Sequence, residues 1–369
     1  MKRVLRWMIS LVVAGAVVTG VVYLLIHLAP EPPVDEMDDA REMLSKAFSS
    51  KAGTYSKKLY SEARADYDSA MEFWKKENER FIYFRDYEKV MELAKSASEK
   101  ARKATQSSIA NSTSLKTKLR EKIDTLNKTS ESLESLFGRY PLSSELRNRI
   151  SNGRMLLKEG EVAYGKGQYL QANRKITDSE YLLVGVYENA TSMLREYFKS
   201  YSTWKRWAQN AISESKRSGT YAIIVDKFSR KCYIYLSGVK KYEFNAELGR
   251  NWVGYKRKMG DKATPEGIYK IVRKYQGRET PYYKALAIDY PNADDKERFR
   301  SEIAKGTLPS SARIGNGIEI HGGGGKGVDW TEGCIALKNA DVDIVYNLVK
   351  VGTTVTIVGS LKEIDDVLN

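Results

Sequence analysis

Histidine and cysteine are scarce in this chain of 369 residues, which has two of each. His27 falls in an apolar run near the amino terminus, so His321 is the one histidine left for the rest of the protein. A zinc site needs three or four ligands, and this scarcity argues against one. Because Cys232 lies in KCYIYL, an alternating run typical of a strand, we expect it to be a buried inert thiol and Cys334 to be free to react.

Proline is absent between Pro33 and Pro141, where Ala, Ser, Lys, Glu and Tyr dominate the composition. Such a composition favours helices. We therefore predict an all-α helical-hairpin or coiled-coil region over 38–217, preceded by a linker at 31–37.

Small and apolar residues recur in this region at alternating steps of three and four, the spacing of a stripe that packs on a partner helix. Turn signals near Gly53, at 138–141 and at 165–167 separate the stripes into hairpins. We interpret the region mainly as a stalk or spacer, which could also bind a protein partner or self-associate. The longest stripe predicts one helix of about 60 Å and consists of Ala172, Ile176, Ser179, Leu183, Val186, Ala190, Met193 and Tyr197, extended through Trp204 to Ala208.

Long uncharged apolar runs are limited to residues 8–29, which follow Lys2, Arg3 and Arg6. About 20 such residues span a bilayer, and the run exceeds the roughly 7 to 15 residues of a signal-peptide core. We therefore predict that residues 1–30 form a basic cytoplasmic tip and a single-pass transmembrane signal anchor. A cleaved signal peptide is the competing interpretation.

The net charge of +14 suits an anionic partner, such as nucleic acid, acidic lipid or an acidic wall polymer. The positive-inside rule places the basic tip in the cytoplasm and everything after Pro30 outside it. Export disfavours nucleic acid, so we expect none to be bound.

The hydrophobic period changes to two at SGTYAIIVDKFSRKCYIYLSG, where β-branched and aromatic residues alternate with polar ones. Frequent turn signals follow, and TTVTIVG is typical of a closing strand. One helix at about 339–350 interrupts the strands, with Asn339 suited to its N-cap. We predict a mainly-β domain over 218–361 and a carboxy-terminal tail at 362–369.

The stretch HGGGGKGVDWTEGC begins at His321 and ends at Cys334. A cysteine attacks as a thiolate, and a histidine within hydrogen-bond reach can lower its pKa or take its proton. The amides of Gly333 and Cys334 are candidates for stabilising an oxyanion in acyl transfer. A phosphate loop is excluded because Ile320 and Gly327 stand where its pattern needs glycine and Ser or Thr. A structural histidine beside a buried cysteine is the other interpretation of this spacing.

Several separate stretches resemble the L,D-transpeptidase catalytic domain, also called the YkuD domain, over residues 219–359. AIIVDKFSRKCYIY is similar to the opening hairpin of that family, and GDKATPEGIYKI is similar to its T-P-x-G-x-Y segment. IEIHGG followed by TEGCIALKN is similar to its active-site motif, a histidine, a loop, then Ser or Thr, His, Gly and Cys, with a nearby Asn.

The resemblance implies that Cys334 is the nucleophile and that His321 is its base, with the main chain at Gly322 orienting the imidazole. Family members cleave the bond before D-Ala in a peptidoglycan tetrapeptide stem and form a cysteine thioester. The side-chain amine of a second stem then resolves it into a 3-3 cross-link. The resemblance thus implies an extracytoplasmic acyltransferase of cell-wall biogenesis and cell shape, with no metal or organic cofactor.

Three departures from the family motif leave other outcomes open. Glu332 replaces the usual second histidine, Ala336 replaces a common arginine, and the loop after His321 is short. An L,D-carboxypeptidase or endopeptidase could use the same Cys334 with water as acceptor. A catalytically silent wall-binding protein is the alternative from another class.

Residues around the motif are candidates for the substrate pocket. Trp330, Thr331, Glu332 and Asn339 are the nearest of them to the proposed nucleophile in the sequence. A wider set of aromatic residues could line a stem-peptide groove, namely Trp252, Tyr255, Tyr275, Tyr282, Tyr283 and Trp330.

Overall fold

The computed structural model describes residues 2–368, and these residues form two compact units. The first unit extends to Lys122 and includes Val162–Asn173, and the second comprises Ile123–Glu161 together with the chain from Arg174 onward. The domain boundaries given by the sequence stay a prediction.

The amino-terminal apolar run forms one helix, α1 (Lys2–Leu28), none of whose residues is buried. Its 27 residues correspond to about 40 Å of helix, more than the roughly 30 Å thickness of a bilayer core. Its length and composition are compatible with a membrane span, and the single-pass topology stays a prediction.

Small side chains form the core of the first unit and allow its helices to approach closely. Two buried clusters, which include Met37 and Ala63, contain six apolar residues spaced three or four apart, namely Tyr87, Val90, Ala94, Ala97, Ala101 and Ala104. The coiled-coil arrangement stays a prediction. The helices of this unit are α2 (Val34–Ser49), α3 (Ala52–Tyr55), α4 (Lys57–Asn78) and the first part of α5 (Glu88–Phe137), with a 3-10 turn at Ile82–Phe84.

Helices also make up part of the second unit, and they correct one prediction. The single long helix over 172–208 is wrong, because the chain leaves helical geometry at Lys199 and Ser200. Met193 is also 42% exposed, whereas the next residue, Leu194, is fully buried in its place. The remaining helices before the sheet are α6 (Ser144–Gly165), α7 (Tyr169–Phe198) and α8 (Tyr201–Ser218).

An eight-stranded sheet forms the framework of the second unit, in the order β3-β2-β1-β8-β4-β5-β6-β7. Only the pairs β1–β8 and β6–β7 are parallel, and the other neighbours are antiparallel. The strands are β1 (Tyr221–Asp226), β2 (Lys231–Leu236), β3 (Val239–Asn245), β4 (Gly267–Gln276), β5 (Lys284–Ile288), β6 (Glu319–His321), β7 (Ile335–Ala336) and β8 (Thr354–Val358).

The carboxy-terminal region contains more helix than the sequence suggests. The prediction of one helix missed α9 (Ala293–Ala304), whose capping box at Asn292 and Asp295 is a recognisable start signal. The predicted N-cap of α10 (Asn339–Leu348) is also wrong, because Lys338 holds that position and Asn339 is the first helical residue. A short helix, α11 (Ile364–Leu368), follows β8 in the predicted tail.

A buried polar cluster connects α7 and α8 to the sheet within the second unit. The carboxylate of Glu266 accepts hydrogen bonds from the Tyr197 hydroxyl at 2.7 Å and from Trp204 Nε1 at 3.0 Å. Lys227 donates to the same carboxylate. The indole of Trp204 lies so close to Gly359 that a Cβ there would approach a ring carbon to 2.3 Å. These two helices therefore share a core with the strands.

Candidate active site

The end of β6 holds His321, whose side chain is completely buried. Its Nδ1 lies 2.7 Å from the carbonyl oxygen of Gly322, and its ring stacks on Tyr282 with centroids 3.6 Å apart. Among residues 2–368, Nε2 of His321 has no hydrogen-bond partner. The histidine therefore has one nitrogen held by the main chain and the other available for a proton.

Cys334 directly precedes β7, which pairs in parallel with β6. Because Ile335 is the register partner of Ile320, Cys334 lies level with Glu319 on the neighbouring strand. Its Sγ donates a hydrogen bond to the Gly317 carbonyl over 3.6 Å. The strand pairing thus brings His321, the last residue of β6, and Cys334, the residue before β7, onto neighbouring segments, although they are 13 positions apart in the sequence.

Burial raises the pKa of the Cys334 thiol to about 11, and the negative charge of Glu319 adds to this effect. The ammonium of Lys256 opposes it. The sequence suggests a lowered pKa for this cysteine, whereas the raised pKa keeps the thiol protonated at neutral pH. Its proton must therefore be removed when the sulfur attacks.

Burial also lowers the pKa of His321 from its usual 6.5, and the charge of Lys326 contributes. The imidazole is consequently neutral at pH 7 and can accept a proton. No hydrogen bond joins His321 to Cys334 in the part of the chain that the structure describes. Catalytic hydrogen bonds are often long in unliganded enzymes and shorten when substrate binds.

Glu247 organises the glycine tract beside the histidine. One of its carboxylate oxygens accepts hydrogen bonds from the amides of Gly325, at 3.1 Å, and Gly327, at 2.6 Å. The other accepts one from Trp330 Nε1 at 2.8 Å. Trp330 in turn lies edge-on to His321, with ring centroids 5.9 Å apart. This buried carboxylate therefore fixes the loop that packs against the imidazole.

An ion pair holds the same loop at a second point. Arg230 Nε lies 2.8 Å from the carboxylate of Asp329, which also accepts a hydrogen bond from the Leu248 amide at 3.0 Å. The sequence offers no signal for Glu247, Arg230 or Asp329. Arg230 and Glu247 are single charged residues far from the motif, and Asp329 lies within the motif but matches no part of its pattern.

The turn before Cys334 is held by Thr331, whose side chain is buried. The Thr331 hydroxyl donates to the Cys334 carbonyl at 2.7 Å and accepts from the Gly333 amide at 3.2 Å. The Gly333 amide, a candidate oxyanion donor, is thus engaged within the turn. Any Cβ at Gly333 would approach the Ala263 carbonyl to 2.7 Å, so this position requires glycine.

The other pocket candidates lie in different environments. Glu332 is exposed, and its carboxylate lies 3.7 Å from Lys262 Nζ, so its charge is directed to the surface. Asn339 accepts a hydrogen bond from the Gly323 amide at 2.8 Å and so stabilises the start of the glycine tract. Of the wider aromatic set, Trp252 is buried and Tyr282 contacts the histidine.

Lys256 is a charged neighbour of the nucleophile that the sequence does not single out. Its side chain is 4% exposed and forms an ion pair with Asp261 at 2.7 Å. Its Nζ also lies 3.5 Å from the position a Cβ would take at Gly333. Within residues 2–368, no group of three or more His, Cys, Asp or Glu side chains is placed to hold a metal ion.

The comparison with known families identifies the domain that contains these residues. Residues 220–357 match the family model of YkuD, the L,D-transpeptidase catalytic domain. The match thus includes β1 to β7 and all of β8 except Val358, together with His321 and Cys334.

Among curated proteins, the chain is similar to "Putative L,D-transpeptidase YafK" of Escherichia coli strain K12, with 30% identity over 98 residues. That alignment covers 26% of this chain, and the chain spans about a third, 32%, of the relative's length.

Two solved structures are also similar to part of the chain. The structure of Bdellovibrio bacteriovorus Bd1075 has 23% identity and a TM-score of 0.31, covering 41% of this chain and 53% of the other. An L,D-transpeptidase from Mycobacterium smegmatis has 12% identity and a TM-score of 0.25, with coverages of 37% and 58%.

Proposed function

We propose that this protein is a peptidoglycan L,D-transpeptidase that uses Cys334 as nucleophile and His321 as general base. The observation that carries the proposal is the pairing of β6 with β7, because a neutral buried imidazole ends β6 and a protonated thiol directly precedes β7 in a YkuD-like domain. A neutral base with a free nitrogen and a thiol on neighbouring segments are the two groups that acyl transfer through a thioester requires.

In the proposed acylation, Nε2 of His321 accepts the thiol proton while Sγ of Cys334 attacks the carbonyl carbon of the third stem residue. The tetrahedral intermediate collapses with cleavage of the bond to D-Ala. His321 returns the proton to the departing amine, which leaves as D-Ala. The product is a thioester between Cys334 and the acyl group of the stem.

In the proposed deacylation, the side-chain amine of a second stem attacks the thioester carbonyl and gives its proton to His321. The carbon–sulfur bond then breaks, and the proton returns to the sulfur. The new amide is the 3-3 cross-link. Water in place of the amine would give a free tripeptide, which is the L,D-carboxypeptidase outcome.

The amino-terminal helix supports a proposal for location. We place α1 in the cytoplasmic membrane as a single-pass anchor, with the YkuD-like domain outside the cytoplasm. The support is the length and apolar composition of Lys2–Leu28, whose basic residues Lys2, Arg3 and Arg6 all lie near its start. Such an anchor would keep the enzyme near newly exported wall material.

The test is to incubate the soluble fragment from Pro33 onward with purified disaccharide tetrapeptide and to resolve the products by mass spectrometry. Cys334→Ala is the inactive comparison, and Cys232→Ala is the matched control because that thiol is buried in β2. Cys334-dependent dimers that lack one D-Ala are the expected result. Tripeptide monomers alone would indicate the hydrolase, and no product with no acyl-enzyme would favour the silent wall-binding protein.

A further inference from the structure

A turn of exposed aromatic side chains joins α4 to α5 in the first unit. Phe81, Ile82 and Phe84 are 64%, 41% and 68% exposed, and Tyr83 is half-buried. The ring of Phe81 lies 5.7 Å from that of Tyr83 and 5.8 Å from that of Phe84. Neighbouring large apolar side chains that project into solvent mark a surface for another apolar phase.

The base of this aromatic turn, residues 81–84, is closed by hydrogen bonds. Arg85 donates to the carbonyl of Arg80 at 3.1 Å and to that of Asn78 at 3.0 Å. Arg80 is paired with Glu77 at 2.8 Å. Polar groups therefore close the base of the turn, and the apolar side chains lie at its tip.

The aromatic turn lies at the end of the helices where α2 begins. Met37, in the first turn of α2, shares one core cluster with Tyr87 at the start of α5, and Trp74 near the end of α4 packs against that cluster. Only residues 29–33 separate α1 from α2. Five residues extend over at most about 18 Å, so the turn lies near the point where the chain leaves α1.

We propose that the aromatic turn inserts into the interfacial region of the same bilayer that holds α1. The inference rests on the proposed membrane anchor. Aromatic side chains are enriched at the boundary between acyl chains and headgroups, where their rings are desolvated and nearby polar groups stay hydrated. The turn has this distribution, since its rings lie at the tip and the two arginines flank them.

Apolar insertion, and not attraction to anionic headgroups, is the expected source of affinity. Acidic residues adjoin the arginines of the turn, since Glu77 pairs with Arg80, and Glu79 and Asp86 are direct chain neighbours of Arg80 and Arg85. A neutral phosphatidylcholine bilayer should therefore be sufficient. The result would be a second attachment that holds α2, α4 and the start of α5 at a fixed angle to the membrane.

The experiment uses the full chain carrying Cys334→Ala, reconstituted in phosphatidylcholine vesicles. A fluorophore sensitive to polarity is attached at Phe84→Cys, and the matched control is Thr54→Cys, an exposed residue in α3 at the other end of α2 and α4. Cys232 does not interfere because it is buried. The vesicles contain spin-labelled lipids that quench the fluorophore at a shallow depth.

Fluorescence from position 84 is expected to shift to the blue and to be quenched severalfold more than fluorescence from position 54. Equal behaviour of the two positions in a chain that resists alkaline extraction would overturn the insertion and leave the anchor intact. A chain that alkaline washing removes would instead contradict the anchor. A blue shift without lipid quenching would indicate a contact with a second copy and would also overturn the proposal.

Discussion

Lys227 and Glu266 form an ion pair of 2.8 Å in which both side chains are completely buried. Lys227 also donates hydrogen bonds to the carbonyls of Gly254 and Thr264, both at 2.8 Å. Tyr197 and Trp204 donate two further hydrogen bonds to Glu266. The pair therefore depends on donors from α7 and α8 and on carbonyl groups of the YkuD-like domain. Loss of either set would leave a buried charge with fewer hydrogen bonds.

Removal of one member of this pair should strongly destabilise the second unit. Glu266→Gln or Lys227→Met leaves a buried charge without its partner, which costs about 3–5 kcal/mol in the free energy of unfolding. The double variant should lose less than the sum, because no unpaired charge remains. Denaturant unfolding followed by circular dichroism measures these differences.

The matched control is the surface pair between Lys205 and Glu363, whose side chains are 50% and 59% exposed. Glu363→Gln should change stability by less than about 1 kcal/mol. Equal losses from Glu266→Gln and Glu363→Gln would contradict the importance of burial. A double variant that loses the full sum would show that the two charges do not act as a pair.

Alkylation of Cys334 should report the charge of Lys256. Since the thiolate reacts and the pKa of Cys334 is raised to about 11, the rate with iodoacetamide should rise about tenfold per pH unit between neutral pH and pH 10. Lys256→Met removes a positive charge that lowers this pKa, so labelling should slow by about tenfold. Mass spectrometry of the labelled peptide gives the rate.

Two comparisons make this result specific. Lys258→Met changes an exposed lysine of the same loop and should leave the rate unchanged. Cys232 should stay unlabelled in the folded protein, since burial raises its pKa to about 12. An unchanged rate in Lys256→Met, with the fold intact, would exclude Lys256 as the electrostatic partner of the nucleophile.

The activity should decrease in acid as His321 becomes protonated. Burial lowers the pKa of His321 below 6.5, so the neutral base predominates at pH 6.5 and above. The acid limb of kcat/KM should therefore lie below pH 6.5. Because the protonated form is disfavoured in the fold, stability should also decrease as pH falls through this range. An acid limb above pH 7 would contradict the neutral buried imidazole.

Glu247→Gln should impair catalysis more than folding. A glutamine has a single side-chain oxygen to accept from the three N–H groups that Glu247 binds, and its own amide would face a donor. We expect the unfolding free energy to fall by about 1–3 kcal/mol and turnover to fall by about 100-fold through misplacement of the loop. Glu332→Gln is the control. Because this side chain is exposed and pairs with Lys262 at the surface, the variant should retain activity.

The sequence was sufficient to predict the local features of the candidate site. The motif around His321 and Cys334 has a spacing and chemistry that can be recognised without coordinates, and the alternation in KCYIYL correctly predicted the strand with Cys232. The family match over 220–357 agrees with the resemblance noted from the motifs. These features depend on short stretches of chain, where periodicity and residue type carry the information.

Features that depend on distant residues could not be predicted in this way. The approach of Glu247 to the glycine tract and of Lys256 to Gly333 results from sheet topology, which brings together segments about 80 residues apart. The helix break at Lys199 and Ser200 lies shortly before Trp204, which packs against Gly359, whereas the heptad-like spacing continues through the break. The sequence predicted a capping role for Asn339. Its actual hydrogen-bond partner, the Gly323 amide, lies in another segment and cannot be recognised from local residues.

The close contact between Trp204 and Gly359 has a consequence for how this protein can evolve. Position 359 has no space for a side chain while an indole occupies position 204, and a smaller residue at 204 would leave a cavity beside the final strand. Substitutions at the two positions should therefore suppress one another's defects. Among homologues, a residue larger than glycine at position 359 should accompany a residue smaller than tryptophan at position 204.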